Sequence, residues 1–128
     1  MNNEIFSRSI GLLGEEAFDS LQNKTVFIAG LGGVGGTAFE ALIRTGVKKF
    51  IIIDKDVVAF SNLNRQLLYV ENDVGKSKVE VAKNRALSIN SDRALFVPIR
   101  RVLFRSTLCV YYTMQNPVVK QNQRKRLS

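Results

Sequence analysis

Three groups of residues carry the chemistry open to this sequence. The first is GLGGVG, in which Gly30, Gly32 and Gly35 fit G-x-G-x-x-G and Gly33 adds a fourth glycine. Such a run lets the backbone approach a phosphate closely and offers unpaired N–H groups to its charge. The second is the pair Asp54 and Asp56 in IDKD. A carboxylate at the position of Asp54, nineteen residues past Gly35, can accept hydrogen bonds from ribose hydroxyls. Asp56 can hold or orient Mg²⁺ beside substrate phosphates. The third is SNLNRQ, with Asn62, Asn64, Arg65 and Gln66, followed by Lys76 and Lys78. A guanidinium offers a planar fork to phosphate oxygens, and lysines add point charges. Together these residues describe a nucleotide site with concentrated phosphate charge. An NAD-dependent oxidoreductase would leave the Asn-Arg-Gln segment without a task. Each residue also has a plainer reading. The glycines can form a structural turn, Asn62 and Asn64 are ordinary turn residues, the lysines can be solvated, and Asp56 can cap a turn.

The elements that must position these groups follow from the hydrophobic pattern. TVFIAG reads as a short buried strand leading into the glycines. TAFEALIRTG reads as the helix after them, with Gly46 as its stop. KKFIIID reads as a second buried strand that closes on Asp54. Strand, glycine turn, helix and strand make a βαβ unit with a right-handed crossover. GEEAFDSLQNKT before it has helical spacing at Ala17, Phe18 and Leu21. Residues 55–74 show no sustained period and are too apolar for disorder, which marks a functional loop. GKSKVEVAKNRALSIN puts Val79, Ala82, Ala86 and Ile89 on one face of a surface helix, with its lysines opposite. RALFVPI, 93–99, gives a third strand. The expected fold is α/β and Rossmann-like, an N-terminal half with about three parallel strands in order 3-2-1 and flanking helices. Its first strand lacks a neighbour, and such an open edge favours association.

Composition bounds the function further. A chain of 128 residues supports one domain. It has no apolar run long enough to span a membrane and no signal-like N-terminus, so a cytoplasmic protein without a membrane role is expected. One cysteine, Cys109, and no histidine exclude a zinc set and an internal disulfide. The net charge of +8 is lopsided: residues 1–99 hold 12 basic and 11 acidic residues, and residues 100–128 hold seven basic and none acidic. The charge belongs to the tail. Within that tail RRVLFRS, 100–106, matches a translation of a common sequencing adapter. The division expected is therefore a truncated nucleotide-binding domain at 1–99 and a basic tail at 100–128 that is artefactual or disordered.

With the motifs assembled, the sequence resembles the ubiquitin-activating-enzyme-like (ThiF-type) adenylyltransferase superfamily. Its hallmarks are G-x-G-G-x-G, Asp-x-Asp after the next strand, S/T-N-x-N/Q-R-Q and G-x-x-K. They stand here as Gly30-Leu-Gly32-Gly33-Val-Gly35, Asp54-Lys-Asp56, Ser61-Asn62-Leu-Asn64-Arg65-Gln66 and Gly75-Lys-Ser-Lys78. The resemblance covers roughly residues 5–97 and is strongest to the tRNA threonylcarbamoyladenosine dehydratases, which cyclise the threonylcarbamoyl group on a tRNA adenosine. It implies ATP with Mg²⁺ as the nucleotide and an acyl-adenylate as the intermediate. It also implies that Gly32 and Gly35 cradle phosphate and that Asp54 binds ribose. Asn64, Arg65 and Lys78 would hold the triphosphate, with Asp56 near the metal. Arg8, in FSRSI, matches an arginine that reaches the nucleotide of a partner subunit, which implies a homodimer; its plainer reading is a solvated charge beside a helix.

The family pattern continues through a fourth strand, with a further aspartate for the metal, and an acceptor-binding region. Nothing after residue 99 matches these, so ATP binding without turnover is the expectation for this chain. A sulfur-carrier-protein adenylyltransferase of thiamine or molybdopterin synthesis accommodates SNLNRQ equally well. A non-catalytic nucleotide- or RNA-binding module is the alternative of another class.

Overall fold

Two runs rich in β-branched and aromatic residues, TVFIA and KFIII, lie side by side in parallel and build the frame on which everything else hangs. They form β1 (Thr25–Ala29) and β2 (Lys49–Ile53), in a register that sets Thr25 against Lys49 and Ala29 against Ile53. A third strand, β3 (Leu95–Ile99), pairs in parallel with β2, Lys49 opposite Leu95 and Ile53 opposite Ile99. The order β1-β2-β3 is the 3-2-1 arrangement read from the other edge. The computed structural model describes residues 3–91 and 95–99. The expectations for the tail at 100–128 lie outside the described residues.

The described residues include four helices: α1 (Ser7–Leu13), α2 (Glu15–Asn23), α3 (Gly33–Thr45) and α4 (Lys78–Ile89). Helix α1 is absent from the reading of the sequence. It is short, carries a glycine at position 11 and has no buried residue, so it leaves no apolar stripe to detect. A 3-10 turn at Asn3–Phe6 precedes it and buries Phe6 completely against Phe18 of α2, with ring centroids 5.5 Å apart. Helix α3 begins at Gly33, inside the glycine cluster and four residues before the expected TAFEALIRT run. Glycine is a poor helix former, so the pattern alone places the start too late.

The core lies between the sheet and helices α3 and α4. Phe50 and Ile52 of β2 are fully buried, as are Phe39 and Ile43 of α3 and Val79, Ala82 and Ala86 of α4. Phe39 meets Phe50 edge-on, with centroids 5.0 Å apart at 74°. Such a pair adds about 0.5–1.5 kcal/mol to the burial of its two rings. Strand β1 departs from the expected buried strand: Ile28 alone among its five residues is buried, and Phe27 is exposed. That follows from its place at an edge of the sheet.

At the opposite end of α3 the turn into β2 is packed just as tightly. Gly46 has φ +128, and a Cβ there would come within 2.5 Å of the Phe18 ring. The close approach of α2 to the end of α3 therefore requires glycine at this point. Glu40 of α3 ties the two core helices together, accepting from Arg85 of α4 at 2.9 Å and from Arg44 one turn on at 3.1 Å. Those two cations, Arg85 first, hold the Glu40 carboxyl below its ordinary pKa, and the same bond raises that of Arg85.

Candidate functional site

The site stands at the carboxyl ends of β1 and β2, where parallel strands deliver their loops. The glycine turn between β1 and α3 is held by the next strand. The Gly30 N–H donates to the Ile53 carbonyl at 2.7 Å, and the Leu31 N–H donates to Asp54 Oδ2 at 2.7 Å. Gly30 has φ +92, the left-handed region that glycine enters without strain. A Cβ on Gly35 would collide with the Gly30 carbonyl oxygen and reach the Ile28 side chain at 3.5 Å. Helix and strand thus approach as closely here as the backbone allows. A Cβ on Gly32 would meet only the Gln66 side-chain nitrogen, at 3.8 Å, and one on Gly33 only the Arg65 carbonyl, at 3.9 Å. A Cβ at either position would thus make only ordinary van der Waals contact. The first bond of α3 runs from the Gly36 N–H to the Gly32 carbonyl, so the N–H groups of Gly33, Val34 and Gly35 have no helical acceptor.

Asp54 does more in this fold than its expected contact with ribose would require. Its second oxygen accepts from the Asp56 N–H at 2.8 Å, so one carboxylate fixes both the glycine turn and the start of the following loop. Each oxygen keeps a lone pair for a further donor. Asp56 is exposed, and the Lys78 N–H donates to its carbonyl at 3.1 Å.

The long aperiodic segment after β2 is ordered from within. Residues 56–58 run against 75–78: the Val58 N–H reaches the Lys76 carbonyl at 2.9 Å, the Gly75 N–H reaches the Val58 carbonyl at 2.8 Å, and Val57 bridges to Ser77. Two 3-10 turns, Phe60–Asn62 and Glu71–Asp73, fill the interval. Asn62 accepts from the Ala59 N–H at 2.8 Å and Asp73 from the Val70 N–H at 3.0 Å, so each side chain closes its own turn. Val58, Leu68 and Tyr69 join the core and anchor the loop.

The functional side chains project from this frame. Arg65 is exposed and hydrogen-bonds the Ser61 carbonyl at 3.0 Å and Asn64 Oδ1 at 2.9 Å, which holds its guanidinium beside the turn. Gln66 is buried, and its Oε1 has no hydrogen-bond partner among the described residues. Lys78 is 5% exposed, with its ammonium 5.7 Å from the centre of the Tyr69 ring. A lysine is rarely buried this deeply without a charge to serve. Lys76 lies before α4 rather than in its first turn, and pairs with Asp73 at 3.7 Å. Arg8 is exposed on α1, and no hydrogen bond or ion pair among the described residues ties it to the glycine turn. Tyr69 goes unremarked in the sequence, where it is one apolar residue of LLYV. Its weak signal is an aromatic with a polar tip inside a loop.

A family model described as the ThiF family matches residues 6–103. The chain belongs to the ThiF family. Among ThiF relatives it is 44% identical over 87 residues to the tRNA threonylcarbamoyladenosine dehydratase of Bacillus subtilis, covering 68% of this chain and 34% of that protein. It is 40% identical over 75 residues to the probable molybdopterin-synthase adenylyltransferase of Porphyra purpurea, covering 59% of this chain and 20% of that one. The crystal structure of the Escherichia coli tRNA N6-threonylcarbamoyladenosine dehydratase TcdA in complex with ATP superposes with a TM-score of 0.74 at 33% identity. That match covers 77% of this chain and 40% of TcdA. The ThiF chain described here thus spans about a third or less of the length of these curated relatives. Among its described residues no group of three or more His, Cys, Asp or Glu could hold a metal ion. No described helix is long and apolar enough to cross a membrane.

Proposed function

We propose that this chain is the ATP-binding part of an adenylating enzyme whose acyl substrate is threonylcarbamoyladenosine in tRNA. The observation that supports it most is the buried Lys78, linked to the glycine turn through Tyr69, with the Arg65 guanidinium held in the same loop as Tyr69. The likeness to a dehydratase solved with ATP points the same way. In this reading Gly30 shapes the turn, Gly32, Gly33 and Gly35 admit the phosphates, and Asp54 takes the ribose with its remaining lone pairs. Asn62, Asn64 and Gln66 line the nucleotide, and Arg65 and Lys78 neutralise the triphosphate. The acyl carboxylate attacks the α-phosphorus and the bond to pyrophosphate breaks. Fixed cations stabilise the charge that moves onto the leaving group, and a set frame supplies alignment.

Mg²⁺ fits this site in a limited way. Asp56 is a single exposed carboxylate, and Mg²⁺ commonly takes one or two carboxylates together with substrate phosphates and waters. Its contribution when bound is to neutralise phosphate charge. Arg8, on the outer helix α1, acts in this proposal on the nucleotide of a second subunit of a homodimer. A second reading, activation of a sulfur-carrier protein, is favoured by the Porphyra relative.

Calorimetric titration tests the binding step. ATP with Mg²⁺ binds the 128-residue chain, and Arg65→Ala weakens that binding about tenfold or more, the worth of a charge-assisted hydrogen bond to phosphate. Binding of NADH in preference to ATP would refute the proposal. Pyrophosphate exchange distinguishes the acyl substrates: threonylcarbamoylated tRNA stimulates it, and a carrier protein ending in Gly-Gly does not.

A further inference from the structure

Tyr69 is a buried side chain with a polar tip that touches both the glycine turn and Lys78. Its hydroxyl donates to the Leu31 carbonyl at 2.6 Å, and the face of its ring lies 5.7 Å from the Lys78 ammonium. Leu31 is itself completely buried, and its N–H is already held by Asp54. The Leu31–Gly32 peptide is trans, so its carbonyl and the N–H of Gly32 point in opposite directions. A phenol that holds the carbonyl inward therefore turns the Gly32 N–H outward. Within the turn the Gly30 and Leu31 amides are used to fasten the backbone to β2 and Asp54. Gly32 is the first whose orientation is set by a side chain while its own N–H stays available to a ligand.

The ring does the same for the lysine. A cation over an aromatic face is held by the ring quadrupole, more firmly when water is excluded. Burial, reinforced by the charges of Asp54 and Asp73, pushes the Tyr69 phenol far above its ordinary pKa. It thus remains a donor throughout the range in which proteins function.

We infer that Tyr69 is a positioning residue for phosphate recognition, setting the Gly32 amide and the Lys78 ammonium toward one anion. This rests on the nucleotide reading of the site and adds to it a residue outside the glycine, aspartate and Asn-Arg-Gln groups. Tyr69→Phe removes the hydroxyl and keeps the ring, so Lys78 retains its platform while the Leu31–Gly32 peptide loses its anchor. Tyr69→Leu removes both.

The test is calorimetric titration of the full 128-residue chain and both variants with ATP and with adenosine. Thermal melting is followed in parallel. Tyr69→Phe is expected to weaken ATP about five- to tenfold, the worth of one hydrogen bond, and Tyr69→Leu further. Adenosine, which has no phosphate, is held equally by all three. Unchanged ATP affinity in a folded Tyr69→Phe overturns the inference, as does equal weakening of ATP and adenosine, which marks a structural role alone. A wild-type chain that binds adenosine as tightly as ATP instead overturns the phosphate reading beneath it. NMR of the wild-type chain gives a second measurement, independent of how the variants fold. Inorganic tripolyphosphate is expected to shift the Gly32 amide proton downfield, and a Gly32 amide that does not move overturns the inference.

Discussion

Replacing Asp54 by asparagine keeps the side chain's shape and takes away its charge and one of its two acceptors. The carboxylate holds the N–H of Leu31 at 2.7 Å and that of Asp56 at 2.8 Å. An asparagine oxygen can serve only one of them, and its NH₂ group then faces the other donor. Leu31 is fully buried and Asp56 is exposed, so the oxygen goes to Leu31 and water replaces the bond to Asp56. What is lost is the charge assistance to one bond and most of a second, about 2 kcal/mol in all. For a domain near a hundred residues that lowers the melting temperature by about 8–16 °C. Asp54→Ala also leaves the Leu31 N–H buried without an acceptor, which brings the loss to about 4 kcal/mol. Differential scanning calorimetry without nucleotide, supported by urea unfolding at neutral pH, measures both. A carboxylate that served only a ribose would leave the ligand-free protein unaffected. An Asp54→Ala protein melting within about 3 °C of wild type, well inside the shift expected from a buried unpaired donor, would therefore refute the reasoning.

The glycines divide by what surrounds them. Gly35→Ala places a methyl on the Gly30 carbonyl and should cost about 3 kcal/mol or more, as overpacking against backbone does. Gly32→Ala meets nothing closer than 3.8 Å and should melt near wild type while binding ATP more weakly; a reversed order in melting and titration would contradict the packing. Glu40 makes stability depend on pH. Its carboxyl is held below the ordinary glutamate range by Arg85, then Arg44, so its contribution is complete above that range and disappears as the pH falls through the lowered value. Glu40→Gln should be less stable than wild type at neutral pH and should converge with it once the pH has fallen through the lowered value, measured by urea midpoints.

The frame was legible because its physics is local. TVFIA and KFIII declare strands by composition, GLGGVGG declares a close approach between them, and Gly46 is a helix stop that also makes room for Phe18. Sequence spacing singles out Asp54, Arg65 and Lys78 as candidates for a similar reason, since each sits at a fixed offset from an element end. It did not show that Lys78 is buried, because the fold supplies the Tyr69 ring from a loop whose own pattern is aperiodic. The double use of the Asp54 carboxylate was equally hidden: its partners are backbone groups, one of them 23 residues away in sequence. Helix α1 failed to show because it buries none of its residues.

The pairing of residues 56–58 with 75–78 closes the loop at its neck, and the turn at Glu71–Asp73 is tied to that neck, the Lys76 N–H donating to the Asp73 carbonyl at 2.9 Å. The neck carries Asp56 and Lys78, two of the residues proposed to face the nucleotide. The bond from the Lys78 N–H to the Asp56 carbonyl, at 3.1 Å, thus spaces those two residues before any ligand is present. The ordering entropy of some twenty residues is met when the protein folds rather than when a ligand arrives. A site built this way can meet its ligand by docking, at a rate set by encounter rather than by the closing of a loop.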